Sequence, residues 1–331
     1  MRFFQNANYP FLQWRKRAYL VTAALMVVGI GSMILHAAKG EGWLNYGVDF
    51  TGGTIVQVRF HQPTTAEQIR AATSAAHHSD WEITRFGTGN EYVVRTPKFG
   101  QEAGQDAQAR VRQALQTRFQ PNQYEIVRTE AVGPKAGSEL EQRALIAILL
   151  SFVAILGYLA LRFEWRFATA AVIATMHDVL VTLGFLAVTR TEISLGTVAA
   201  VLTVLGYSMH DTIIVFDRVR EDLAKPRHGR SFVDILNKAI NETLPRTLLT
   251  VATVMATLLA LLAFGGPVIF GFTLVLVLGI AIGTFSSIFV ASPVLYEIER
   301  RFPRAEKREQ AVRSTSGHRA TKARPAEART R

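Results

Sequence analysis

Six runs of the chain are apolar on every side rather than along one stripe. They cover residues 18–36, 144–161, 168–188, 197–216, 247–264 and 272–296. A helix needs roughly 20 apolar residues to cross the hydrocarbon layer, and each run reaches or nearly reaches that length. A helix apolar all round is buried in lipid or in a large core. The pattern therefore predicts a polytopic α-helical membrane protein with six transmembrane helices. The first run exceeds the roughly 7–15 apolar residues of a signal-peptide core, so it reads as a retained anchor.

Between the first two spans the period changes. Residues 54–60 (TIVQVRF) are β-branched and strand-like. Thr64 or Thr65 then caps a helix to about residue 76, with Glu67 placed for a capping box. Strands follow at 81–86 and 92–96 around a Gly87-Thr88-Gly89-Asn90 turn. A helix comes next, with Val111, Leu115 and Phe119 on one face, and a last strand at 124–132. The order βαββαβ is the ferredoxin-like arrangement. Such folds serve many functions, so the order alone assigns no activity. His77 and His78 read as a solvated pair. Gly52-Gly53 lacks the later Gly, Lys and Ser/Thr of a phosphate loop and precedes a strand, so it reads as backbone freedom at the start of that strand.

The chain has 331 residues, a formal net charge of +11 and no cysteine. Without cysteine there are no disulfides, thiolate metal sites or thiol nucleophiles. The excess charge first suggests a nucleic-acid partner, but its distribution argues otherwise. Residues 1–17 hold four basic residues and no acid, and the stretch from 297 to 331 holds 11 basic against 5 acidic residues. The remainder is nearly neutral. Basic residues also cluster at Arg162, Arg166 and from 218 to 246, whereas the short loops on the opposite side contain only Arg190. By the positive-inside rule both termini are cytoplasmic. The expected organisation is a cytoplasmic N-terminus (1–17), a first transmembrane helix (18–36) and an external, periplasmic domain (37–141). A five-helix region (144–296) with an inner loop (217–246) and a basic tail (297–331) complete it. The tail suits contact with anionic membrane lipids; no nucleic acid is expected.

Ionisable groups lie inside the spans. A charge at mid-bilayer costs about 2.5–3.5 kcal/mol on insertion scales, so each needs a reason. His177-Asp178 sits in the third span and His210-Asp211 in the fourth, while Arg246 opens the fifth after Pro245. A carboxyl in low dielectric beside a cation can load and release a proton as its surroundings alternate. Asp211, Arg246 and Asp178 are thus the candidate proton pathway, with His177 and His210 as possible tuning groups. Neighbouring residues on a helix point about 100° apart, so each His–Asp pair is expected to diverge, and no metal or other cofactor is expected. The flanking sequences lack the Gly-x-Gly-Asp pattern of intramembrane aspartyl proteases. Gly279 and Gly283 form a G-x-x-x-G in the sixth span, a motif for close helix packing. The amphipathic segment 231–244 is expected to lie along the cytoplasmic surface.

Several stretches carry a resemblance: YGVDFTGG (46–53), VGP (132–134), HDV (177–179), YSMHDTIIVFDRVRE (207–221), NETLPRT (241–247) and SSIFVASP (286–293). In order and spacing they resemble the bacterial SecD–SecF protein-export family, its smaller subunit in particular, within the resistance-nodulation-division superfamily. The resemblance implies a proton-coupled, non-enzymatic subunit of the inner membrane. With a SecD-like subunit it would use the proton motive force to promote late, outer-side steps of preprotein export. The implied partners are the SecD-like subunit, the SecYEG channel, the SecA motor and the translocating preprotein. The resemblance also implies that Asp211 lies on the proton path with Arg246 as its companion, while His210 stands where the family commonly has Asn. The alternative is a proton-driven small-molecule exporter half of the same superfamily.

Overall fold

A computed structural model describes residues 7–79, 81–86, 89–96, 103–225 and 230–303. Part of the expected turn at 87–90 and the tail from 304 onward lie outside the described residues. Among the described residues, six helical stretches are long and apolar enough to cross a membrane. A four-stranded antiparallel α+β domain lies between the first and second of them.

The chain enters through a 3₁₀ turn (Phe11–Trp14) into α1 (Arg15–Ala38). Residues 39–47 then lead to a short helix α2 (Val48–Thr51), which sequence reading did not anticipate. Gly52 and Gly53 follow with φ of 70° and 128°, the left-handed region that favours glycine. A Cβ on Gly53 would lie 2.9 Å from the Thr96 carbonyl oxygen, so two constraints meet at this glycine.

The α+β domain runs β1 (Gly53–Phe60), α3 (Ala66–Ala75), β2 (Glu82–Arg85), β3 (Glu91–Thr96), α4 (Ala103–Gln116) and β4 (Tyr124–Val132). Its strand order is β2-β3-β1-β4, with every neighbouring pair antiparallel. Val56, Val58 and Phe60 of β1 pack with Val94, Ile69 of α3, and Val111 and Leu115 of α4 into one core. The α3 cap is Thr65, and its capping box closes with Gln68 rather than Glu67, because Gln68 is three residues past the cap. His78 is not freely solvated: it stacks on Trp81 with ring centroids 4.2 Å apart.

The remaining spans are α5 (Pro134–Arg162), α6 (Trp165–Thr189), α7 (Leu195–Ala224), α8 (Phe232–Phe264) and α9 (Pro267–Ser286). A π-helical turn (Ser287–Ala291) then leads into α10 (Ser292–Arg301), where Pro293 occupies the first turn. Two differences from the sequence reading concern continuity. Residues 134–141, counted with the external domain, are the first turns of α5. The segment 231–244 belongs to α8, which continues through Pro245. Its apolar face, Ile235, Leu236, Ala239 and Ile240, is buried against Phe216, Val219 and Leu295 rather than against a lipid surface. Asn241 fastens the N-terminal segment to it, accepting from the Tyr9 N–H (2.8 Å) and donating to the Tyr9 carbonyl (2.9 Å).

Small residues set the tightest helix contacts. A Cβ on Gly29 of α1 would lie 2.7 Å from the Gly184 Cα of α6, so the two helices touch backbone to backbone. On α9, a Cβ at Gly283 would fall 2.8 Å from the Ser208 Cβ of α7, and one at Gly279 would meet Val204.

Candidate functional site

The α7–α9 approach positions the polar groups buried among the spans. Ser208, held against Gly283, faces α6 and donates its hydroxyl proton to Asp178 Oδ2. His177 Nδ1 lies 2.9 Å from Asp178 Oδ1. The two neighbours on α6 therefore converge, contrary to the 100° expectation, because rotation about the side-chain bonds lets their tips meet. Asp178 is 1% exposed, and both its oxygens are engaged. His177 is buried as well, and its Nε2 has no hydrogen-bond partner.

Asp211 lies three residues after Ser208 on the same face of α7. It is 2% exposed, and its Oδ2 is buried without a hydrogen-bond partner. The Thr284 side chain of α9 borders it, and His210 and Arg246 lie within electrostatic range. Arg246 and His210 are both exposed. Among the described residues no ion pair within 4.0 Å joins Arg246 to Asp211. Pro245 lacks an N–H, so α8 forgoes one internal hydrogen bond in the turn that presents Arg246.

The two carboxylates thus sit in different settings. Asp178 is tied on both oxygens, and Asp211 is buried with one oxygen free. Around them, the Tyr207 and Thr247 hydroxyls are also buried without partners, and the Ser286 hydroxyl borders Asp178. Buried polar atoms in folded proteins nearly always have partners, so a cluster of exceptions calls for a functional explanation. The sequence singles out Asp178, Asp211, His177, His210 and Arg246 but by residue type alone gives no sign of a proton role for Ser208, Thr284, Ser286 or Thr247. The available signal was spacing: Tyr207 and Ser208 precede Asp211 by four and three residues, one turn back on its face. Among the described residues no group of three His, Asp or Glu side chains is gathered for a metal ion.

Residues 111–301 match the family described as protein export membrane protein SecD/SecF, C-terminal, and residues 43–64 match the SecD/SecF GG motif. The protein translocase subunit SecF of Gemmatimonas aurantiaca is 42% identical over 326 residues, covering 97% of this chain and 96% of that one. The SecF subunit of Vibrio alginolyticus is 39% identical over 288 residues, covering 87% and 89%. A crystal structure of SecDF from Thermus thermophilus, a translocon-associated membrane protein, superposes with a TM-score of 0.78 at 32% identity over 91% of this chain. A super-membrane-facing form of SecDF gives a TM-score of 0.65 over 95%. The chain spans 40% of the length of the first of these structures and 41% of the second.

Proposed function

The chain belongs to the SecD/SecF family of protein-export membrane proteins, and we propose that it uses proton movement through Asp211 to drive its part in export. In this reading it is a multi-pass subunit of the bacterial inner membrane with both termini in the cytoplasm. It pairs with a SecD-type subunit, which would supply the remainder of the length seen in SecDF. Together the two promote outer-side steps of preprotein translocation by SecYEG and SecA.

The observation that carries the proposal is the state of Asp211: buried in an apolar helix, one oxygen unpartnered, within electrostatic range of Arg246 and His210. A carboxyl so placed is expensive as a fixed charge. It becomes useful where it is protonated from one side and discharged to the other. Arg246, exposed and not paired to it, can approach in one state and withdraw in the next. Asp178 with His177 forms a second station one turn away, linked to α7 through Ser208. One proton crossing about 100 mV releases about 2.3 kcal/mol. That biases a two-state movement by about fiftyfold, enough to rectify the motion of an already mobile chain but not to unfold a stable domain.

Asp211→Asn keeps the side chain's size and removes the titration. In vesicles holding the SecD-type partner and the translocase, this variant is expected to insert normally and to lose the stimulation of export by an imposed proton gradient. Full stimulation in Asp211→Asn would overturn the assignment.

A further inference from the structure

The GG-motif segment does more than start the first strand. Residues 41–49 run alongside the corner 190–195 that joins α6 to α7. Gly47 N–H donates to the Ile193 carbonyl (2.9 Å) and Ile193 N–H to the Asn45 carbonyl (2.8 Å), a parallel bridge centred on Tyr46 and Ile193. Asn45 Nδ2 donates to the Arg190 carbonyl at 2.9 Å. Arg190 in turn holds the carbonyls of Glu41 and Gly42, at 3.1 and 3.2 Å. Asp49 Oδ2 accepts from the Leu195 N–H at 2.8 Å, which caps the first residue of α7 from another part of the chain. A carboxylate there also meets the positive end of the α7 dipole. On the outer side, Arg95 of β3 pairs with Glu192 at 2.6 Å and with Glu82 of β2 at 3.3 Å.

The contacts join two parts that the proposed function needs to move together. α7 starts at the corner and carries Asp211 sixteen residues further on, about 24 Å along its axis. β1, which follows Asp49 almost at once, is a central strand of the external sheet and pairs with β3, where Ile55 faces Arg95. Gly47 is required for the approach, since a Cβ there would lie 3.0 Å from the Ile193 carbonyl oxygen and also strike the Glu192 carboxylate.

Building on the proton-coupling reading above, we infer that residues 45–49 with Arg95 and Glu192 form a fixed strap that transmits displacement of α7 to the external domain. Asp49, Arg95 and Glu192 are then positioning residues. They touch no proton on the path, and the strap stays closed through the cycle.

The test compares export in vesicles holding the SecD-type partner and the translocase, with and without an imposed proton gradient. Arg95→Glu and Glu192→Arg are each expected to lower the gradient-dependent stimulation about fivefold while leaving gradient-independent export unchanged. Combining the two restores the opposite charges and is expected to recover the stimulation. A purely structural role would lower both export modes together, and a double variant no better than the singles would overturn the inference. A second measurement does not depend on charge. The chain has no cysteine, so Tyr46→Cys with Ile193→Cys can form a single disulfide across the bridge. With its strap oxidised the protein is expected to respond to the gradient as fully as the reduced form. Loss on oxidation with recovery on reduction would mean that the strap opens, and the inference fails. Asp211→Asn run alongside separates the two ideas. If it retains stimulation, the proton reading is wrong; if it loses stimulation while the Arg95 and Glu192 singles keep theirs, only the strap is wrong.

Discussion

The contact of Gly283 with Ser208 gives a quantitative test of how α9 and α7 are held. In Gly283→Ala the new methyl would lie 2.8 Å from Ser208 Cβ and 3.2 Å from Ser208 Cα. Carbon atoms in contact prefer about 3.5–4.0 Å, so the methyl intrudes by about 0.7 Å. Neither carbon can rotate away, because both are fixed to the α7 backbone; the helices themselves must separate. Overpacking of this kind costs about 1–3 kcal/mol. Replacing a helical glycine by alanine gains about 1 kcal/mol in propensity, which offsets part of that cost. Gly157 on α5 is the internal control, since a Cβ there meets nothing within 4 Å, so Gly157→Ala keeps the whole gain. Unfolding in mixed micelles should therefore rank Gly157→Ala above Gly283→Ala by about 1–3 kcal/mol. Gly279→Ala adds a second reading, with its methyl pressed against Val204 Cγ2, 2.6 Å from Cγ1 and 2.9 Å from Cβ. Val204→Ala removes both Cγ carbons and leaves Cβ, so it should rescue Gly279→Ala in part. If Gly283→Ala is as stable as Gly157→Ala, the close packing inferred here is wrong.

Two further outcomes follow from the hydrogen bonds. Ser208→Ala deprives the buried Asp178 carboxylate of a donor and should destabilise the protein by about 1–3 kcal/mol in the same unfolding measurement; no change would mean that the Ser208 bond is dispensable. In the α+β domain, the hydrogen bond from Arg59, with a second from Gln57, holds the Glu91 carboxyl below the usual range. A lowered acid contributes stability above its unfolded pKa of about 4.3 that is lost as the pH falls through the folded value. The protection factors of β1 amides, corrected for the intrinsic exchange rate at each pH, should therefore fall on acidification below that point, and less steeply in Glu91→Gln; identical protection profiles for both proteins would refute the assignment.

The six spans were legible because lipid imposes one rule on every exposed side chain, and composition reveals it without any tertiary contact. The ferredoxin-like order was legible for a related reason, since alternation along β1 and the apolar stripe of α4 each report a buried face locally. Continuity was harder to read. A polar face on 232–244 followed by Pro245 looks like a surface helix and a break, because sequence carries no sign that Phe216, Val219 and Leu295 cover the apolar side. Proline is tolerated there because only one internal bond is lost near the membrane surface, where other partners exist.

At the site the charged residues were visible and the hydroxyls were not. A carboxylate in an apolar run stands out whatever surrounds it, whereas serine and threonine are common in membrane helices as packing residues that bond back to their own backbone. Thr182 does this, donating to the Asp178 carbonyl at 2.7 Å, and so does Thr284 toward Ile280 at 2.8 Å. Only the fold separates such residues from Ser208, which donates across to Asp178 on α6 while its Cβ packs on Gly283 of α9. The strap was hidden for the same reason. Asp49 and Glu192 are ordinary acids at the ends of elements, 143 positions apart in sequence. Their common role exists only where Gly47 lets the chain lie flat against Ile193. Two glycines are therefore the less conspicuous half of the arrangement: Gly283 packs on Ser208, which donates to Asp178, and Gly47 lies against Ile193 where Asp49 reaches the head of the helix that carries Asp211.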